Sequence, residues 1–156
     1  MGIGYDVHQL AEGFDLWLGG IKVDHSKGSV GHSDGDVLIH AICDAMLGAL
    51  AKRDIGYHFP DNDQSLKGID SKILLKKTND IIVQAGYKIG NIDSTVCLQR
   101  PKIKDLIPEM QQTLERVLGV EAGTVSVKAT TTEKLGFVGR EEGISAYAIV
   151  MLHKKS

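Results

Sequence analysis

A long helical segment near the start of the chain, flanked by strand-like segments, is the feature that most constrains the fold. Residues 33–56, "SDGDVLIHAICDAMLGALAKRDIG", carry apolar side chains at helical spacing as far as Leu50. Ser33 or Asp34 is the expected N-cap, acidic residues stand in the first turn, and Gly56 lies beyond the end. Such a helix between strands is typical of an α/β layer.

The remaining segments continue this alternation. "LWLGGIKV", residues 16–23, predicts two short strands around a Gly-Gly turn. The other predicted elements are strands at 87–99, 124–132 and 144–153 and helices at 70–86 and 108–118. Asp70 or Ser71 is the expected N-cap of the first of these helices. We therefore expect an α/β fold in which helices cover one face of a mixed β-sheet.

Composition indicates one domain and excludes several classes of partner. The 156 residues, 42% of them hydrophobic, suffice for a single domain that spans residues 1–156. The net charge is −2, and the basic residues are scattered, whereas a nucleic acid or a membrane surface requires a basic face. No apolar run is long enough to cross a membrane, and no secretory or transit segment is recognisable. Cys43 and Cys97 form no CxxC pair, so we expect reduced thiols in a cytoplasmic protein.

The first candidate for chemistry is the pair Asp6 and His8 in "GYDVHQL". Residues two apart in a strand point to the same side, so the carboxylate and the imidazole project together. This is half of a zinc site, but zinc requires at least three protein ligands. Taken alone, such a pair is more often structural or at the surface.

The first helix offers a third ligand. His40 lies four residues after Asp36 and four before Asp44, so the three share one helix face. A metal-bound histidine usually donates its other N–H to a carboxylate, which makes Asp36 or Asp44 a candidate partner. Pairing on the helix surface, or dipole complementarity for Asp36, is the alternative. Asp6, His8 and His40 would leave one tetrahedral position open, as catalytic zinc sites do.

Two segments carry groups that suit phosphate. In "GHSDGD", His32 and Ser33 stand at a helix N-terminus, which attracts anions, although a plain N-cap loop is the alternative. In "KATTTEKLGFVGREEG", residues 128–143, threonine hydroxyls and Arg140 suit phosphate, and Glu133 offers an oxygen ligand for Mg²⁺ or Mn²⁺. A threonine-rich strand that ends in a turn explains the same residues.

Taken together, five stretches resemble the 2-C-methyl-D-erythritol 2,4-cyclodiphosphate synthase family of the non-mevalonate isoprenoid pathway. They are "GYDVHQL", "GHSDGDVLIHAICDAMLGA", "DIGYHFPDNDQSLKGIDS", "RPKI" and "KATTTEKLGFVGREEGI". The resemblance runs in order from residue 2 to about residue 152. It implies a CMP-forming phosphorus–oxygen lyase that acts on 4-diphosphocytidyl-2-C-methyl-D-erythritol 2-phosphate. It also implies a homotrimer with active sites between subunits.

The resemblance assigns roles to individual residues. It implies Zn²⁺ on Asp6, His8 and His40, with a substrate phosphate oxygen as fourth ligand, and Mg²⁺ or Mn²⁺ on Glu133. The transition-state-stabilising pair falls on His32 and Thr131.

The implied substrate contacts form two groups. The methylerythritol phosphate end falls on His32, Ser33, Asp54, Ile55, Gly56, Phe59, Pro60, Asp61, Asn62 and Asp63. Asp6, Val7 and His8 are also implied to contact the substrate. The cytidine end falls on the neighbouring subunit's positions Leu98, Gln99, Arg100, Pro101, Lys102, Ile103, Lys104, Thr130, Thr131, Thr132 and Glu133. Phe137 and Arg140 match positions near a central apolar cavity of the trimer.

Three features depart from the family pattern. The first strand is expected to be short, because the match begins at residue 2. Leu98 stands where a small residue is common beside the cytosine pocket, and Tyr147 replaces an acidic residue near the central cavity.

Two alternative functions use the same residues. A zinc-dependent phosphoesterase would attack with a bound hydroxide and give open-chain products. A non-catalytic trimeric scaffold would bind diphosphates without releasing CMP.

Overall fold

In the computed structural model, which describes residues 1–155, strands and helices alternate as the sequence predicts. The strands are β1 (Gly2–Glu12), β2 (Leu16–Leu18), β3 (Ile21–Val23), β4 (Lys27–Val30), β5 (Tyr87–Cys97), β6 (Val125–Thr130) and β7 (Gly143–Lys154). The α-helices are α1 (Val37–Ala49), α2 (Ile55–His58), α3 (Ser71–Gln84), α4 (Ile107–Leu118) and α5 (Gly136–Gly139). Short 3₁₀ turns occupy Gln64–Leu66 and Lys104–Leu106.

Five of the strands form a mixed sheet in the order β4-β1-β7-β5-β6, while β2 and β3 pair separately around Gly19 and Gly20. Strands β5 and β6 run parallel, and the other neighbours run antiparallel. The register places Val7, Ser145 and Cys97 in one row that ends at Thr130. Because neighbouring strands lie about 4.8 Å apart, this row separates β1 from β6 by about 14 Å.

Three helices cover one face of this sheet. Helix α1 packs on β1 and β7, α3 packs on α1 and β5, and α4 packs on α3 and β6. Inward side chains of the strands, such as Ile92 and Val96, are fully buried beneath the helices. Leu38 and Ile42 of α1 complete the same core. The predicted arrangement of helices on one face of a mixed sheet is confirmed.

Two glycines of β1 let α1 approach the sheet closely. A Cβ atom at Gly4 would overlap the backbone of Ala41, and one at Gly2 would overlap that of Ala45. Alternate residues of a strand share a face, so Asp6 and His8 lie on this same helix-facing side. The missing side chains at the start of β1 therefore bring its polar pair next to α1.

The other face of β1 and β7, called the open face below, carries exposed apolar side chains. They are Ile3, Tyr5, Val7, Tyr147, Ile149 and Met151. The rings of Tyr5 and Tyr147 stack at an angle with their centroids 4.8 Å apart. A contiguous apolar surface of this kind marks a site of interaction.

Two boundary predictions were wrong. The N-cap of α1 is Asp36 rather than Ser33 or Asp34, since the Asp36 side chain accepts the N–H of Ile39. Strand β1 is not too short to support Asp6, because it has 11 residues and pairs with β7 from Gly2 to Gln9.

The sequence also left three short strands and helices unpredicted, β4, α2 and α5. Each has only 4 residues, too few to show a hydrophobic period. Within residues 1–155, no helix has the length and apolar character needed to cross a bilayer.

Candidate metal centre and substrate cleft

Asp6, His8 and His40 form a cluster of potential metal ligands where β1 meets α1. The Nδ1 atom of His40 lies 3.1 Å from Oδ2 of Asp6, and the Nδ1 atom of His8 lies 3.0 Å from the same oxygen. One possible ligand atom from each residue lies within 4.8 Å of the other two. The structure thus brings the Asp6–His8 pair of β1 together with His40 of α1, which lies 34 residues after Asp6.

Asp6 and His40 shift each other's pKa values. Burial raises the pKa of the Asp6 carboxyl, but interactions with His40 and His8 outweigh it and lower the pKa to about 2. Burial lowers the pKa of His40, but the hydrogen bond to Asp6 outweighs it and raises the pKa above its usual value. The Asp6 carboxylate is therefore ionised at neutral pH and faces two ring nitrogens.

The Nδ1 atom of His8 is the feature that best indicates a cation-binding site. It is buried and has no properly oriented hydrogen-bond partner in the part of the chain that the structure describes, although Asp6 is at ionic distance. An unsatisfied buried nitrogen costs about 1–3 kcal/mol. Two imidazole nitrogens around a carboxylate are also a donor set that divalent transition metals accept. The residues present therefore fit a divalent metal ion.

The second ring nitrogen of His40 is held by two serines. Its Nε2 atom lies 3.0 Å from Oγ of Ser71 and 3.1 Å from Oγ of Ser33. Ser71 is the first residue of α3 and is fully buried, and its hydroxyl donates a short hydrogen bond to Asp34.

The two carboxylates predicted beside His40 have other partners. Asp36 is fully buried and accepts the N–H groups of Gly19, Gly20 and Ile39, so it fastens the β2–β3 turn to the start of α1. Burial raises the pKa of the Asp36 carboxyl. The Asp44 carboxylate accepts the N–H of Ile55 at 2.7 Å and so fixes the start of α2. The prediction of a hydrogen bond from His40 to either acid is corrected: both carboxylates accept backbone N–H groups instead.

A cleft of about 400 Å³ opens beside the cluster and is called the metal cleft. Its predicted lining residues are Asp6, His8, His32, Ser33, His40, Ile55, Gly56, Phe59 and Asp61. Leu66, Ile69 and Leu74 form an apolar floor that the sequence did not predict.

The other predicted residues of the same loop support the wall rather than line it. Asp54 caps α2 through the N–H of Tyr57, and Asp63 accepts the N–H of Ser65. The His32 Nε2 atom lies 3.2 Å from the Asp63 carbonyl oxygen, which ties the loop to the start of the cleft. Pro60 and Asn62 lie in the exposed turn between them.

A second hollow, the small pocket, lies at the far end of the sheet and has a volume of about 150 Å³. It is lined by Leu98, Gln99, Pro101, Lys102, Ile103, Lys104, Ala129, Thr130 and Thr131. Most of these are residues predicted to hold the cytidine end, and none also lines the metal cleft. In a single chain, the predicted substrate site is therefore split into two separate halves.

The turn that follows β6 belongs to the second half. The N–H of Glu133 donates to Oγ1 of Thr131 at 3.3 Å, and Gln99 accepts the N–H of Lys134 at 3.2 Å. Glu133 has a positive φ of 52° and is exposed. The strand register puts the end of β6 about 14 Å from β1. Glu133 is accordingly not part of the cluster formed by Asp6, His8 and His40.

Four further predicted residues lie outside both hollows. Val7 points to the open face, as the alternation of β1 requires. The Arg140 guanidinium pairs with Glu142 through two bonds of 2.9 and 3.1 Å, while Arg100 pairs with Glu141 at 3.2 Å. Phe137 is partly exposed beside Gly143.

Comparison with known proteins places the chain in a family. It matches the YgbB family over residues 1–153. The 2-C-methyl-D-erythritol 2,4-cyclodiphosphate synthase of Bacteroides fragilis is 65% identical over 154 residues, which are 99% of this chain and 97% of that protein. The chain belongs to the YgbB family.

Solved structures share the fold of this YgbB-family chain. Bifunctional IspDF from Campylobacter jejuni is 42% identical with a TM-score of 0.94 over 98% of this chain, which spans only 42% of that longer protein. IspF from Plasmodium falciparum, in complex with CDP, is 37% identical with a TM-score of 0.87. The match covers 99% of this chain and 96% of that protein.

The YgbB-family site contains residues that sequence reasoning missed. Ser71 and Asp34 were considered only as helix caps, because serine and aspartate at a helix start usually have that role. The contact of Ser71 with His40, and that of Asp34 with Ser71, depend on how α3 meets α1, which no local pattern reveals.

Proposed function

We propose that this chain converts 4-diphosphocytidyl-2-C-methyl-D-erythritol 2-phosphate to 2-C-methyl-D-erythritol 2,4-cyclodiphosphate and releases CMP, within isoprenoid biosynthesis. Membership of the YgbB family and 65% identity to a synthase of that name support this function. A relative with the same fold binds CDP, which is the diphosphocytidyl part of such a substrate. The observation that carries the proposal is the metal cleft with Asp6, His8 and His40 at its base.

The reaction is an intramolecular phosphoryl transfer. An oxygen of the 2-phosphate forms a bond to the β-phosphorus of the diphosphate. The bond from that phosphorus to the oxygen bridging it to the α-phosphorus breaks, and the electron pair leaves with CMP. A phosphate is already ionised at neutral pH, so no protein nucleophile is needed. The protein has to position the two phosphates and neutralise their charge.

Asp6, His8 and His40 would hold Zn²⁺, and Glu133 would hold Mg²⁺ or Mn²⁺ on the diphosphate. Two imidazoles and one carboxylate suit zinc, and a single exposed carboxylate suits a hard ion bound mainly through phosphate oxygens. When bound, the two ions supply positive charge to the phosphate oxygens as charge moves to the leaving group.

The side chains around the metal cleft would orient the substrate. His32 and Ser33 donate toward the phosphate at the cleft mouth, and Ile55 and Gly56 at the start of α2 line the cleft beside it. The loop from Phe59 to Asp63 covers the methylerythritol part and excludes water. Thr131, with His32, holds the transferring phosphate in line between its nucleophile and its leaving group.

The active enzyme is a homotrimer with sites between its subunits. Two observations support this assembly. The predicted site is split between two hollows that share no lining residue, and strands β1 and β6 beside them lie about 14 Å apart across the sheet, so one chain cannot close both around a diphosphate. The open face exposes apolar side chains on the central strands, and Tyr147 is 47% exposed in the single chain. A neighbouring subunit's small pocket and Thr131–Glu133 turn would complete the metal cleft.

Three further expectations concern the extent of the domain, its compartment and the positions of two residues. The whole of residues 1–156 forms one cyclodiphosphate synthase domain, and its compartment is the cytoplasm. Phe137 and Arg140 flank the trimer axis rather than the cytidine.

The metal assignment can be tested with His40→Ala. Loss of one of three protein ligands is expected to reduce zinc content below detection and CMP release by more than about a hundredfold. The assay measures zinc by elemental analysis and CMP by chromatography. Unchanged zinc content together with unchanged CMP release would show that the ligand assignment is wrong.

The interfacial site can be tested by mixing two inactive variants. His40→Ala damages one half of each site, and Glu133→Gln damages the other half. If the halves come from different subunits, about one quarter of the sites in randomly mixed trimers contain both intact halves and recover activity. If both halves come from one chain, co-refolding restores nothing.

Product analysis distinguishes the alternatives. A phosphoesterase would give open-chain products, and a binding scaffold would retain the substrate without releasing CMP. Detection of a cyclic diphosphate with an equal amount of CMP excludes both.

A further inference from the structure

The two ring nitrogens of His40 have different partners, and these partners decide which nitrogen carries the ring hydrogen. Nδ1 faces Asp6 at 3.1 Å, on the side where a metal ion would bind. Nε2 faces Oγ of Ser71 at 3.0 Å on the opposite side of the ring. A neutral imidazole binds metal through one nitrogen only if its hydrogen is on the other.

The direction of the hydrogen bond from Ser71 is decided by Asp34. A carboxylate can only accept hydrogen bonds, and a serine hydroxyl has a single hydrogen to donate. The Ser71 hydroxyl donates that hydrogen to Oδ1 of Asp34. Toward His40, Ser71 can therefore only accept, so the hydrogen between them belongs to Nε2 of His40.

Further hydrogen bonds to the backbone hold Asp34 in position beside Ser71. Its carboxylate also accepts the N–H of Ser71 at 2.9 Å and the N–H of Asp36 at 3.1 Å. Its own N–H donates to the carbonyl of Ile69. The acid thus joins the start of α1 to the start of α3, and Ser71 lies between it and the candidate ligand.

We propose that Asp34 and Ser71 are positioning residues that keep the hydrogen of His40 on Nε2 and leave Nδ1 free for the metal ion. The proposal rests on the metal site of the proposed function and adds to it a three-residue chain from carboxylate to hydroxyl to imidazole. Hydrogen-bond partners of metal-bound histidines change metal affinity by about 10–100-fold when they are removed.

Ser33 cannot replace this chain. Its Oγ lies 3.1 Å from the same Nε2 atom and accepts the N–H of Gly35 at 3.2 Å. No carboxylate takes the Ser33 hydrogen among the hydrogen bonds of residues 1–155, so this hydroxyl is free to donate to Nε2. That donation favours the hydrogen on Nδ1, which blocks metal binding, whereas acceptance from Nε2–H leaves Nδ1 free. Without Ser71, the ring contacts only a hydroxyl that can donate or accept, so neither position of the hydrogen is fixed.

The first test compares Ser71→Ala with Ser29→Ala in substrate-free protein. Both serines are buried, but Oγ of Ser29 has no hydrogen-bond partner among the described residues, so its removal controls for the loss of a buried hydroxyl. Competition with a chromogenic chelator measures the Kd for Zn²⁺. Ser71→Ala is expected to raise this Kd by about 10–100-fold, and Ser29→Ala by less than about twofold.

The second test asks whether Asp34 acts through Ser71. Asp34→Asn is expected to weaken zinc binding about as much as Ser71→Ala, because an amide has only one oxygen, whereas the carboxylate accepts the Ser71 hydroxyl on Oδ1 and the Ser71 N–H on Oδ2. The double variant is then expected to bind no more weakly than either single variant. Additive losses would show that Asp34 has only a structural role and would overturn the chain.

The third readout is spectroscopic and does not depend on affinity. In ¹⁵N-labelled, zinc-loaded wild-type protein, long-range ¹H–¹⁵N correlation should show the His40 hydrogen on Nε2, exchanging slowly with water. Ser71→Ala should lose the slow exchange. A hydrogen on Nδ1 in the wild type, or an unchanged Kd in Ser71→Ala, would overturn the inference. If the wild type itself binds no zinc, the metal site of the proposed function fails instead.

Discussion

One side of strand β1 is covered by a helix of the same chain, whereas its other side is exposed. On the covered side, Gly2 and Gly4 let α1 come close, and Asp6 and His8 meet His40 in a connected set of short contacts. On the open face, Ile3, Tyr5 and Val7 are exposed next to the equally exposed side chains of β7.

The difference separates what a single chain can do from what an assembly must supply. The proposed metal ligands are positioned by contacts inside the chain, so metal binding should not require a neighbour. In the proposed function, the diphosphate needs groups from the other end of the sheet, so turnover should require one. Substitutions on the covered side are therefore expected to affect stability and metal affinity, and those on the open face to affect assembly and turnover.

Gly4→Val should have the largest effect. Even a Cβ atom at this position would overlap the Ala41 backbone, which cannot move without displacing α1 and His40. We expect a loss of about 3 kcal/mol or more in the free energy of unfolding, measured by urea denaturation, together with the loss of zinc binding.

Gly48→Ala is the matched control in the helix that Gly4 contacts. A Cβ atom there would meet only the Ile3 carbonyl oxygen, at 3.9 Å. Because alanine is the better helix former, this variant should be more stable by about 0.5–1 kcal/mol. Equal destabilisation by the two variants would contradict the role of close approach.

The open face can be tested with Ile149→Asp. The side chain is 45% exposed in the single chain, so the fold should tolerate a carboxylate, whereas a trimer would have to bury its charge. We expect sedimentation velocity to show monomers, with zinc bound and CMP release reduced by more than about a hundredfold.

Val83→Asp controls for an exposed apolar residue in another place. Val83 lies on α3 and is 42% exposed, away from the open face. This variant should remain trimeric and active. Retention of the trimer by Ile149→Asp would mean that subunits associate through another surface.

The sequence predicted the elements more fully than the site. Hydrophobic periods gave α1, α3, α4 and the long strands, because those segments are long enough to show a period. The ligands Asp6, His8 and His40 could be proposed because strand alternation and helix geometry fix which residues share a face.

Contacts between helices and strands could not be predicted from such patterns. Asp36 was expected beside His40 by its spacing, but it is turned to the backbone of Gly19 and Gly20, which lie 16 or more residues away along the chain. Ser71 lies 31 residues from His40 and meets it only because α3 starts beside α1. Residues of this kind depend on tertiary packing, which local spacing does not encode.

The smallest expected effect compares two aspartates on opposite sides of the sheet. The pKa of Asp6 is lowered to about 2, so its contribution to stability is fully present above its ordinary pKa and is lost as the pH falls toward 2. In zinc-free protein, Asp6→Asn should therefore reduce the free energy of unfolding by about 2 kcal/mol at pH 5, and this difference should shrink as the pH approaches 2.

On the open side, Asp93 pairs with Lys128 at 2.6 Å, which also lowers the pKa of Asp93, but both groups are exposed to solvent. Asp93→Asn should cost less than about 1 kcal/mol at any pH, because exposed ion pairs are screened. Urea unfolding of both variants between pH 2 and 6 measures the contrast, and equal pH profiles would show that the covered side does not strengthen the interactions of Asp6.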